Sequence, residues 1–235
     1  NRVLTCDDQG PEPVWGIEAD QHRTAAYYRN GIVHFFLNAS ICELALLRAA
    51  EPDVEDPLAE FWDEAMALRD LLKFEFFFAE KDAFRDELRE ELALQAPEWQ
   101  ERLAAGAEEI LRLTLAWSPY SAHRTVRPFV EAYRVVSDGL EQLEPGTAFD
   151  EPAFLNECLK RGRQYRLQRR IRSEESVSKV LFQTALKLAR NRALLDPDTP
   201  GPVERRRASA EQVRSVARRP HGVDALAASR RAAPR

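Results

Sequence analysis

Three cysteines in 235 residues, Cys6, Cys42 and Cys158, are odd in number and far apart. With no C-x-x-C spacing among them, they exclude a disulfide framework and a cysteine zinc site, and they fit a reducing cytoplasm. No metal and no cofactor is expected. A basic stretch leading into an apolar one is missing at the start, so no secretory signal is visible, and the chain opens on Asn1 rather than methionine, as a fragment would. Long hydrophobic runs are missing too. The longest uncharged run near the most apolar segment, Asn30 to Cys42, has thirteen residues, short of the roughly 20 that a spanning helix needs. No internal repeat is evident.

What is present is an ordinary globular composition, 44% hydrophobic, enough for a real core in one large domain or two small ones. Charge is divided unevenly. Residues 201–235 hold nine arginines against Glu204, Glu211 and Asp224, a local +6 within an overall −5, which leaves −11 on the first 200 residues.

Local patterns predict a mainly α fold: a short β-hairpin over 1–20, a helical region over 21–195, and a disordered Arg-rich tail over 196–235. The β-prone runs 2–6 and 13–18 flank DDQGPE, whose Asp, Gly and Pro form turns. Asp56-Pro57 reads as an N-cap followed by proline in the first turn, with Phe61, Ala65, Leu68 and Leu72 on one face. Over 74–78 the phenylalanines fit neither period, and that stretch is left unassigned. Asp82 is expected to cap a helix through Leu94, with Phe84, Leu88 and Leu92 inward. Further helices are expected from Pro97 to about Trp117, from Phe129 to Leu143, over 151–172, and after a Ser173-Glu174-Glu175 cap. Beyond Leu195, Pro, Ala, Ser and Arg dominate, and the tail is read as too poor in large apolar residues to offset its ordering entropy.

The segment AAYYRNGIVHFFLNASICELALL, 25–47, is apolar on most sides of a helix, so it is expected to be surrounded by others. At about 100° per residue, Tyr27, Asn30, His34 and Asn38 share one polar seam, while Arg29, Ser40 and Glu43 share another. Tyr28 falls on the apolar side. Both seams then need hydrogen-bonding neighbours, because an unpaired buried polar group costs about 1–3 kcal/mol. The simplest reading of His34 is a core histidine satisfied by Asn30, Asn38 or a carbonyl. The guanidinium of Arg29 is too far from Glu43 to pair with it, so its partner comes from elsewhere in the fold or from a ligand.

Lys160, Arg161, Arg163, Arg166, Arg169, Arg170 and Arg172 form a cationic run without an acid. It is either a solvated face balancing the acidic body or a surface for anionic lipid head groups. Specific nucleic-acid binding by the tail is not expected, since no aromatic residue interleaves its arginines and no recognition motif precedes them.

YYRNGIVHFF followed by an apolar helix resembles the opening of the C-terminal region of the large, acyl-CoA-using bacterial glycerol-3-phosphate acyltransferases. LRDLLKFEFFF (68–78), VRPFVEAYRVV (126–136) and RGRQYRLQRRIRSEESVSKVLFQTALKLARNRALL (161–195) are similar to later segments of that family, in the same order. The resemblance covers about residues 1 to 195. It implies acyl transfer from acyl-CoA to the 1-hydroxyl of glycerol 3-phosphate, in phospholipid synthesis, by a peripheral enzyme at the cytoplasmic face of the plasma membrane. That family's His-x-x-x-x-Asp motif, in which histidine acts as general base, has no counterpart here: His22, His34, His123 and His221 are followed at the matching position by Tyr27, Ala39, Pro128 and Leu226. No catalytic residue is therefore assigned. The resemblance implies an upstream acyltransferase domain that binds acyl-CoA and glycerol 3-phosphate, with Tyr28, Arg29, Asn30 and His34 facing that domain or its ligands. Lys160, Arg161, Arg163, Arg166, Arg169 and Arg170 would face anionic lipid. The competing reading is a stand-alone all-α module that binds lipid or protein.

Overall fold

The computed structural model describes residues 3–21, 24–25, 31–144, 149–196 and 200–232. As expected, the chain is mainly helical with one N-terminal hairpin. Strands β1 (Thr5–Asp7) and β2 (Val14–Gly16) pair antiparallel with Cys6 opposite Trp15. A short 3-10 turn, Val33–Phe36, leads into α1 (Leu37–Ala49).

Helix α1 is the first of two hubs. Ile41, Cys42, Leu44, Ala45 and Leu46 are fully buried on it, as its all-round apolarity requires. Around it pack α2 (Pro57–Leu72), α3 (Lys81–Gln95), α5 (Ala107–Ala116) and α6 (Ala122–Thr125), while α4 (Trp99–Ala104) lies against α2, α3 and α5. Helix α2 starts as its sequence predicts: the Asp56 carboxylate accepts from the Ala59 amide at 3.0 Å, and Phe61, Ala65, Leu68 and Leu72 are buried. The same holds for Phe84, Leu88 and Leu92 of α3.

The second hub is α7 (Arg127–Glu141), which buries Val130, Tyr133, Val136 and Leu140. It carries α8 (Glu151–Leu167), α9 (Lys179–Asn191) and α10 (Pro202–Ala232). Helix α10 also reaches across to α1 and α6, so it joins the two hubs.

Several expectations are corrected. Residues 202–232 are not disordered: α10 buries Ala210, Val213, Val216, Ala217 and Val223. Small apolar residues suffice there because α7 offers a ready apolar groove and the arginines turn sideways to ion-pair. Pro97 to Trp117 is two helices, broken at Gly106, whose φ of 98° suits glycine. Asp82 lies inside the first turn of α3, whose N-cap is Glu80. Ser173 does not begin a helix. Its amide is taken by Glu131, and α9 starts only at Lys179. The basic helix ends at Leu167, where Arg169 takes φ 57° and the Arg169 and Arg170 amides bond back to the Arg166 and Tyr165 carbonyls, a closed helix terminus. The unassigned stretch after Leu72 is a turn.

Candidate functional site

Of the two polar seams on the 25–47 segment, the structure accounts for one. Ser40 and Glu43 are fully buried. The Glu43 carboxylate accepts from the Ser121 amide at 2.7 Å, the Ser121 hydroxyl at 2.8 Å and the Ala122 amide at 3.0 Å, capping α6 from across the fold. Ser40 donates to the Phe36 carbonyl at 2.6 Å and touches the Ser121 hydroxyl at 3.0 Å. Burial, opposed by these three hydrogen bonds and helped by the charge of Glu91, pushes the Glu43 carboxyl up from 4.5 to about 7. A serine beside a glutamate invites a nucleophile reading. Here, however, both are buried, and the Glu43 carboxylate is occupied by two backbone amides and the Ser121 hydroxyl.

Tyr28, Arg29 and Asn30 lie outside the described residues. His34 does not sit in the core: it is exposed on the 3-10 turn, its ring 4.0 Å from that of Phe35. Asn38 does not reach it and instead donates to Glu87 of α3 at 3.0 Å. Ile32, Phe35 and Phe36 are exposed beside it, Phe35 by 73%. Among the described residues of the 25–47 segment, Val33 is the first that is buried, and burial becomes continuous only on α1. The turn before it is an uncovered apolar and aromatic face carrying one imidazole. On α5, which packs on α1, Leu111 and Leu115 are also exposed, one helical turn apart.

The cationic run divides. Arg161 donates to Gln142, Arg166 to the Arg172 carbonyl, and Lys160 pairs with Glu157. Arg170 stacks on the Tyr165 ring at 4.0 Å and approaches Asp138 at 3.8 Å. Arg163 and Arg169 are exposed, their side chains with neither a hydrogen bond nor an ion pair among the described residues, and Leu167 between them is 87% exposed. Most cations of the run are thus engaged within the fold, and the Arg163 and Arg169 side chains are open to solvent.

Two buried acids on α7 escaped the sequence reading. Glu131, fully buried, accepts from the amides of Arg172 and Ser173 at 2.9 and 2.8 Å and from the Ser176 hydroxyl at 2.9 Å, and it is hydrogen-bonded to His221 of α10 at 3.0 Å. Burial works to raise its pKa, but His221, the two amides and Ser176 outweigh that and hold it below the ordinary value. Asp138 accepts from Tyr165 and from Arg214 of α10, both at 2.8 Å, and Arg214 also pairs with Glu141. The only signal for either acid was its position on the apolar side of a strongly amphipathic helix. Among the described residues, no group of three His, Cys, Asp or Glu could hold a metal ion, and no helix is long and apolar enough to cross a membrane.

The fold thus defines a helical region whose buried acids secure its own loops and last helix, and which presents apolar and cationic surfaces outward. The chain belongs to the family described as glycerol-3-phosphate acyltransferase C-terminal region, whose profile matches residues 1–198. It is 42% identical over 228 residues to proteins named "Putative acyltransferase plsB1" from Mycobacterium bovis and from two strains of Mycobacterium tuberculosis. The match covers 96% of this chain and 37% of each relative, so the chain spans little more than a third of the relatives' length. No solved structure matches it.

Proposed function

We propose that this chain is the helical C-terminal region of a glycerol-3-phosphate acyltransferase, the docking and membrane-facing platform of an acyltransferase domain that precedes it. The observation that carries the reading is the family match over residues 1–198 in a chain that covers 37% of its acyltransferase relatives. The partner domain would hold acyl-CoA and glycerol 3-phosphate. There the glycerol 1-hydroxyl attacks the thioester carbonyl, its proton goes to a histidine base, and the CoA thiolate leaves. The present chain has no histidine paired to an aspartate at the required spacing, so on its own it does not carry that step. Support for docking comes from the exposed Ile32, His34, Phe35 and Phe36, with Leu111 and Leu115 on a neighbouring helix. Tyr28, Arg29 and Asn30 precede that face directly in the chain. Arg163 and Arg169 supply the free cations for anionic lipid at the cytoplasmic face of the plasma membrane.

The test is the intact mass of the native product, detected in source cells with an antibody to this chain. A species several times heavier than 26.9 kDa, with glycerol-3-phosphate acyltransferase activity that the isolated chain lacks, is expected. A native species at 26.9 kDa would instead establish a separate lipid- or protein-binding module.

A further inference from the structure

The turn after α2 has a feature that the platform reading leaves unused. Three of its residues are fastened inward. Glu75 accepts from the Tyr133 hydroxyl at 3.1 Å, Phe76 meets Phe129 edge-on at 5.0 Å, and Phe78 meets Phe84 at 5.4 Å. Between these anchors Phe77 is completely exposed, and Phe74, just before them, is 42% exposed. A phenylalanine held entirely in water by a rigid turn forgoes hydrophobic burial that a single rotation of a looser loop would recover.

The surroundings point to one occupant. The turn runs alongside α9: Lys73 donates to Asn191 at 2.6 Å near the end of that helix, and the Glu75 carboxylate faces Thr184 and Lys187. Continuing in that direction leads toward Val180, one helical turn before Thr184 and 69% exposed. Lys73 lies 5.5 Å from the Phe74 ring and is paired with Asp70 at 2.7 Å, Lys187 faces Glu75, Lys179 precedes Val180 in the chain, and Glu80 is exposed two residues after Phe78. Helices α8 and α9 run antiparallel, since Arg190 pairs with Glu151 and Phe182 packs at Gly162. The unpartnered Arg163 and Arg169 therefore lie at the Val180 end of the pair. Protruding rings between cations are complementary to an anionic membrane interface, where rings enter the acyl boundary and lysines meet phosphates. A protein partner would call for a broader apolar area than two rings and a valine.

We infer that the 73–78 turn is a membrane-inserting tip, with Phe74 and Phe77 entering the interface of an anionic bilayer and Lys179 and Lys187 seated on its head groups. This rests on the membrane part of the proposed function and adds the element that penetrates.

The test is co-sedimentation of the whole chain with phosphatidylcholine vesicles, with and without phosphatidylglycerol. Binding to the anionic vesicles is expected. Phe77→Ala, at a side chain that touches nothing, should weaken it severalfold, and Phe74→Ala/Phe77→Ala by roughly tenfold or more, with unchanged thermal midpoints. Leu111→Ala/Leu115→Ala should leave vesicle binding unchanged. Wild-type chain that binds while both phenylalanine variants bind equally well would overturn the tip and leave the membrane reading standing. Wild-type chain that stays in the supernatant with both vesicles would overturn the two together. Variants that keep vesicle binding but lose acyl transfer in the longer protein would make the turn a domain contact and overturn its insertion.

Discussion

Glu43 and Glu131 occupy matching situations in the two halves of the molecule. Each is fully buried on the helix around which its half packs, and each accepts from two consecutive backbone amides and a serine hydroxyl of a loop distant in sequence. They differ in one partner. Glu131 has His221, contributed by the last helix. Among the described residues, Glu43 has no cation within ion-pair distance and feels the charge of Glu91 instead. Burial dominates at Glu43 and raises its pKa, whereas at Glu131 the summed donors overcome burial and lower it. The comparison teaches that α10 is part of the electrostatic construction of the C-terminal half and not an appendage to it.

Removing residues 197–235 should have the largest effect. It uncovers the surface buried by Val213, Val216 and Val223, takes His221 from Glu131, and takes Arg214 from Asp138. A loss of roughly 5 kcal/mol or more is expected, a large part of the stability of a typical domain. Urea unfolding would measure it. A truncated chain as stable as the full one would break the comparison, because the two carboxylates would then be held alike without the tail.

Next comes Glu131→Ala, which strands two amides, a hydroxyl and the His221 ring, at a cost of about 3–5 kcal/mol. The sign of its pH dependence follows from the lowered pKa. The folded state holds its proton less tightly than the unfolded one, so the stabilisation is present above 4.5 and is lost as pH falls below it. Glu131→Gln should flatten the acid limb of the stability curve, read as urea midpoints between pH 5 and 3.

Glu43 has the opposite sign. With its pKa raised from 4.5 to about 7, the folded state keeps a proton that the unfolded state gives up, so stability falls as pH rises through that interval and then levels. The drop attributable to Glu43 is about 3 kcal/mol. Glu43→Gln should therefore narrow the stability gap between pH 5 and pH 8, while Glu131→Gln leaves that gap unchanged. Equal behaviour of the two variants across that range would remove the distinction that His221 is held to make.

How much of this was legible in sequence follows from the range of each force. Faces built on local spacing, such as Phe61, Ala65, Leu68 and Leu72 or Phe84, Leu88 and Leu92, were readable because helical period alone places them together. The requirement that Ser40 and Glu43 find partners was also readable from the wheel. Their partner Ser121 was not, since it stands 78 residues from Glu43. The tail misled because composition measures average apolarity, whereas Val213, Val216, Val223 and the small residues between them form a narrow stripe that needs only a matching groove. His34 misled for the reverse reason. Its neighbours are apolar enough for a core, yet nothing among the described residues covers them, as an uncovered docking face would have it.

The smallest effect separates stability from surface chemistry at one residue. Arg169 holds φ 57° to close α8, a conformation that glycine adopts without the penalty of a side chain. Arg169→Gly should then stabilise the fold by about 0.5–1 kcal/mol, seen as a higher thermal midpoint. It also deletes one of the two side-chain cations of the basic run, Arg163 and Arg169, that have no partner among the described residues. If the exposed arginines meet anionic lipid, the same variant should bind phosphatidylglycerol vesicles about fivefold more weakly, equivalent to roughly 1 kcal/mol per cation. A more stable chain with weaker vesicle binding places Arg169 on the membrane-facing surface at the cost of local strain. A more stable chain with unchanged binding would make Arg169 a residue of the solvated face, and would leave the contrast between the two halves resting on their buried carboxylates alone.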